Sequence, residues 1–184
     1  MNEDLDFILD STKEAMDNSV AYLKKQLQNI RAGKASPTML SGVLVEYYGA
    51  KTPLNQVSNI NTPDARTLSI QPFEKSLIQE IEKGIMNANL GFNPMNNGES
   101  VIINVPPLTE ERRIQLSKQA KAEAEEAKIG VRNDRRNALH DLKDIDLSED
   151  VMKGAEEEVQ KLTDDYIKKI DQIFDAKEKE IMTV

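Results

Sequence analysis

Polarity along the chain follows one rhythm in the outer parts and another in the middle. In the first 30 residues, Leu5, Leu9, Thr12, Met16, Ser19, Leu23, Leu27 and Ile30 recur at steps of three or four, the spacing that lines one face of a helix. The spacing returns after residue 109 in Leu116, Ala120, Ala124, Ala127, Val131, Ala138 and Leu142. It returns again after residue 148 in Ala155, Val159, Leu162, Tyr166, Ile170, Ile173 and Ile181. Alanines in the second stripe let a neighbouring helix approach closely. Each stripe is flanked by polar residues, so three helices of about 30 residues, about 45 Å long, can bury their apolar faces only against one another. The pattern predicts an elongated three-helix bundle.

Local signals set the ends of these helices. Gly33 and Pro37 close the first, and Pro106 and Pro107 prevent the second from starting earlier. Thr109 is the expected N-cap of the second helix, with Glu110 and Glu111 at the positive end of its dipole. Ser148 plays that part for the third, followed by Glu149 and Asp150.

All seven prolines lie between Pro37 and Pro107, and six of the eight glycines between Gly33 and Gly98, so this window must hold short elements. Within it "VLVEYYG", "TLSIQPF" and "SVIINV" read as strands, and "KSLIQEIEKGIMNANLG" as a helix stopped by Gly91. The expected fold class is therefore α+β: a bundle from residues 1–31 and 106–184, with a small β/α/β domain, 32–105, inserted after the first helix. Two linkers join the domains, "RAGKASP" (31–37) and "NVPP" (104–107). Two adjacent crossings make a hinge, for which Gly33, Lys34, Ala35, Pro106 and Pro107 are the candidates.

Charge locates a possible partner. The formal net charge is −8, yet residues 112–136 hold eight Lys or Arg against four Asp or Glu. Residues 1–30 sum to −3 and residues 148–184 to −5. At about 100° per residue, Lys121, Lys128, Arg132 and Arg135 share a sector of roughly 60° beside the apolar stripe, flanked by Arg113 and Arg136. One reading is a solvated face with internal pairs such as Glu125 with Lys128. The other is a phosphate-binding surface, favoured by the arginines of "VRNDRRNA", whose planar forks suit phosphate oxygens and stack on bases. RNA is then the natural partner, and the acidic remainder of the chain discourages binding elsewhere. Asp134, inside the cluster, either orients Arg135 or weakens the local field.

Other signals narrow the class. There is no cysteine, charged residues make up 30% of the chain, and no apolar run approaches the roughly 18 residues that cross a bilayer. The start "MNEDLDF" lacks the basic and apolar regions of a secretory signal. A soluble, cytoplasmic protein is expected, with no membrane partner. His140, the single histidine, has no partner at ligand or triad spacing in the sequence, and "DIDLSED" fails the calcium-loop pattern at Glu149 and Ala155. Tyr47 and Tyr48 could stack on bases but are expected to divide between core and surface. Neither a phosphate-binding loop nor a nucleophile turn is present, so no catalytic residue, metal or cofactor is assigned and an enzyme is not expected.

The segments "IRAGKASP", "VEYYG", "PPLTEERR", "VRNDRRNA", "SED" and "VQKLTDDYIKKID" resemble, in order and near spacing, the bacterial ribosome recycling factor family. The resemblance spans essentially the whole chain. It implies an L-shaped, two-domain molecule that binds the post-termination ribosome and, with elongation factor G and GTP, splits it into subunits, releasing messenger RNA and deacylated transfer RNA. It further implies that Arg113, Arg132 and Arg135 contact large-subunit ribosomal RNA, with Arg31 as a further contact, that the factor has no nucleotide site of its own, and that it works as a monomer. Lys34 departs from the family's usual arginine. A helical-bundle adaptor that binds proteins and never RNA is the rival reading.

Overall fold

The computed structural model describes residues 2–183 and divides into two compact units, one ending at Ala32 and resuming at Glu110, the other comprising Gly33–Thr109. The first contains the long helices α1 (Glu3–Gln28), α4 (Glu110–Lys143) and α5 (Glu149–Met182).

Asn2 caps α1 by accepting the backbone N–H groups of Asp4 and Leu5, while Glu3, Asp4 and Asp6 load its first turn with negative charge. All seven residues of the expected α4 stripe are buried, including Ala120, Ala124, Ala127 and Ala138. The α1 face differs in detail: Ile8 and Val20 are buried, whereas Leu5, Leu9 and Ser19 are only half-buried. On α5, Thr163 is buried while Leu162 and Ile173 are half-buried. Two threonines can sit in these faces because each hydroxyl donates one turn back, Thr12 to the Ile8 carbonyl (2.7 Å) and Thr163 to the Val159 carbonyl (2.8 Å). Each fully buried aliphatic side chain contributes about 1.5–3 kcal/mol, so truncation of Ile170, at 0% exposure, should cost about 2–5 kcal/mol. Residues 144–148 connect α4 to α5 and fold the two back on each other. Ser148 holds the N-cap position of α5, but its side chain makes no capping bond; its carbonyl accepts from Met152 instead.

The Gly33–Thr109 unit contains a hairpin, β1 (Leu44–Tyr47) with β2 (Ala50–Pro53), a single-turn α2 (Leu54–Val57), β3 (Ser58–Asp64), β4 (Thr67–Pro72), α3 (Ile78–Asn87), β5 (Pro94–Asn96) and β6 (Val101–Asn104). The last four strands form an antiparallel sheet in the order β3-β4-β6-β5. Leu68 and Ile70 on β4 and Val101 and Ile103 on β6 are fully buried. They form one core with Ile81 and Ile85 of α3. The expected β/α/β content is present, but β2, β3 and β5 were not foreseen. They are short or edge strands, mostly exposed and carrying Pro53, Pro63 and Pro94, so no alternation marks them. Nor does Gly91 stop α3. The helix ends at Asn87, and the chain first turns left-handed at Asn89 (φ 51°).

Both ends of this unit are tied to one turn. Ala35 N–H donates to the Ala65 carbonyl (2.8 Å) and Val105 N–H to the Arg66 carbonyl (2.7 Å). Asp64 fixes that turn by accepting from Arg66 N–H (2.8 Å) and the Thr67 hydroxyl (2.9 Å), bonds that hold its carboxyl below the usual carboxylate range.

Candidate nucleic-acid interface

Helical geometry assigns the cations of α4 to two distinct positions. Ile114, Lys118, Lys121, Glu125, Ile129, Arg132 and Arg136 fall in one sector about 80° wide, and every one is exposed. Between Ile114 and Arg136 this stripe offers four cations and two large apolar side chains against a single acid, and exposed Glu111 and Lys143 continue it at the two ends of the helix. Lys128 and Arg135 lie on the stripe's margin, beside the buried seam, whereas Arg113 falls in line with the seam itself near the start of the helix; all three are half-buried. Arg31, beyond the end of α1, is exposed. Lys118 and the two isoleucines were missed by the sequence reading. The signal was present, since steps of three and four mark an exposed face as well as a buried one.

Lys128 and Arg135 are held by α5. Lys128, counted in the basic sector above, is committed to the protein: its Nζ lies 2.6 Å from Asp171 and 3.5 Å from Glu125, with only 16% of its side chain exposed. Asp171 and Glu125 raise its pKa despite burial. Arg135 donates through Nη1 to Gln160 Oε1 (2.7 Å), and Gln160 Nε2 donates to Asp164 (2.9 Å). Asp134 does not orient Arg135. It lies toward α1 beside Ser19, and burial pushes its carboxyl above the ordinary range. Gly130 permits this approach, since a Cβ there would sit 3.2 Å from Ser19 Oγ.

Among the hinge candidates, Gly33 has φ +76°, and a Cβ there would lie 2.8 Å from Leu108 Cγ. Pro106 and Pro107 are exposed, and Lys34 is exposed beside half-buried Ala35.

The remaining candidates divide as follows. Tyr47 is half-buried and Tyr48 85% exposed, and both hydroxyls donate to Glu74 (3.1 and 3.4 Å). His140 stands near Asp141 and Asp144, with ligand atoms within 4.8 Å of one another, a proximity that the sequence reading had not assigned. All three are exposed. No helix among the described residues is long and apolar enough to cross a membrane.

Comparisons with known proteins place this geometry in context. A family model described as ribosome recycling factor matches residues 23–182. The ribosome-recycling factor of Christiangramia forsetii is 71% identical over 182 residues, covering 99% of this chain and 100% of that one. The Bacillus subtilis protein of the same name is 50% identical over 181 residues, covering 96% and 98%. A solution structure of a ribosome recycling factor aligns over 100% of both chains with a TM-score of 0.80 and 38% identity. A second structure, the Thermus thermophilus factor (T. thermophilus) placed with Escherichia coli (E. coli) elongation factor G on the E. coli post-termination complex, aligns with a TM-score of 0.63 and 43% identity, covering 97% and 99%.

Proposed function

The chain belongs to the ribosome recycling factor family, and from that premise we propose how its parts divide the work of ribosome recycling. It binds the post-termination ribosome and, with elongation factor G and GTP, separates it into subunits, releasing messenger RNA and deacylated transfer RNA. The bundle grips large-subunit ribosomal RNA through the exposed α4 stripe, with Lys118, Lys121, Arg132 and Arg136 on phosphates, Arg135 at the margin, and Arg113 and Arg31 as further contacts. Lys128 stabilises the bundle instead. The observation that carries this assignment is the concentration of four exposed cations on one face of an otherwise acidic molecule.

The inserted unit receives the push of elongation factor G. Ala35 and Val105 are bonded to the Ala65–Arg66 turn, so they move with the insert. Rotation is left to Gly33 and Lys34 on one linker and to Pro106 and Pro107 on the other. Glycine supplies freedom and the proline pair supplies stiffness. The factor acts in the cytoplasm as a mechanical part, not an enzyme, and without a cofactor of its own.

Adding the protein with elongation factor G and GTP to post-termination ribosomes should release free subunits, with ribosome affinity falling steeply as salt rises. Undiminished release by a combined Arg132→Ala, Arg135→Ala and Arg136→Ala variant would overturn the assignment of the α4 face.

A further inference from the structure

Arg135 differs from the other cations of α4 in how it is held. Its Nε is buried and has no hydrogen-bond partner, so the inner edge of the guanidinium is closed to solvent and to any ligand. A phosphate can meet only the outer N–H bonds. Their direction is set by one contact, the 2.7 Å bond from Nη1 to Gln160 Oε1 across the α4–α5 seam. The Gln160 amide is itself fixed, because its Nε2 donates 2.9 Å to Asp164 one turn along α5.

We propose that Gln160, anchored by Asp164, is a positioning residue that presets the Arg135 guanidinium for ribosomal RNA. This rests on the reading that Arg135 contacts that RNA. The chemistry of the chosen residue supports it. An arginine left free must be ordered when it binds, and immobilising a rotamer-rich side chain in advance removes that cost. A carboxylate at position 160 would hold the fork more strongly, yet it would cancel the charge and compete with the phosphate. A neutral amide orients without neutralising. The negative charge that fixes the amide stands one helical turn further along α5, at Asp164.

Gln160→Leu removes the acceptor while keeping a side chain that favours helix. It should lower the nitrogen-15 order parameter of the Arg135 side chain and weaken ribosome binding by about three- to tenfold, with an unchanged thermal midpoint. Gln160→Glu should keep Arg135 ordered and still weaken binding. In an Arg135→Ala background, Gln160→Leu should have no further effect. If it weakens binding equally in that background, Gln160 acts on the ribosome by itself and the proposal fails. It fails too if Gln160→Leu leaves both the order parameter and the affinity untouched while Arg135→Ala weakens binding. Should Arg135→Ala alone leave binding unchanged, the underlying contact is wrong and the proposal falls with it.

Discussion

Lys128 Nζ stands 2.6 Å from Asp171 Oδ1 across the seam between α4 and α5. Four positions along the same helix, Arg132 is exposed. One cation joins two helices and the other is available to a partner, so their replacement should separate stability from binding. Lys128→Met should cost about 0.5–1 kcal/mol of stability and leave ribosome affinity unchanged. Arg132→Ala should leave the thermal midpoint unchanged, weaken binding and reduce the salt slope by about one unit. Urea melts and salt titrations of ribosome binding on both variants decide the matter. Because Lys128 has its pKa raised above 10.5, its contribution is complete below pH 10.5 and is lost as pH climbs through the raised folded-state value.

Tyr166 joins α5 to α1 through a hydrogen bond from its hydroxyl to Asp17. The residue is 2% exposed, and burial together with the neighbouring carboxylate pushes the phenol up to about 12 from 10.0. The neutral phenol is thus favoured by folding. Its contribution is fully present below pH 10 and is lost as the pH rises toward about 12. Tyr166→Phe should cost about 1–2 kcal/mol at neutral pH, and its deficit against the parent protein should shrink across that alkaline window. Denaturant unfolding at several pH values measures the trend.

Gly33 combines a left-handed backbone with a close neighbour, Leu108. Gly33→Ala strains the backbone by about 1–2 kcal/mol and drives a methyl group into that leucine. Gly33→Pro cannot adopt the conformation at all, since its ring fixes φ near −65°. Both variants should lose subunit splitting more than ribosome binding. Equal loss of the two activities would remove Gly33 from the hinge.

Two helical glycines should respond with opposite signs. Replacing glycine by alanine inside a helix ordinarily gains about 1 kcal/mol, and Gly154 on α5, where a Cβ would meet only open space, should show that gain. Gly84 on α3 should not. A Cβ there would sit 2.6 Å from the backbone oxygen of Leu44 on β1, so Gly84→Ala should destabilise the inserted unit by about 1–3 kcal/mol. Thermal melts of the two single variants are sufficient to test the contrast.

The periodicity of apolar residues fixed the three long helices and every buried position of α4, because a solvent-exposed helix has one way to hide a stripe. Proline and glycine placement marked the window of short elements, because their backbone limits act locally whatever the surroundings. Edge strands such as β3 stayed hidden, since their pairing is made by β4 and not by any pattern of their own. The division of the α4 cations was equally a matter for the tertiary structure. Lys128 and Arg132 differ little in helical angle, and only the arrival of α5, bringing Asp171 to one and Gln160 to Arg135 beside the other, decides which charge is taken up inside the protein and which is offered outward. A chain determines its own faces through local geometry, but the partner that each marginal side chain meets comes from residues distant in sequence, and that meeting exists only after the helices have packed.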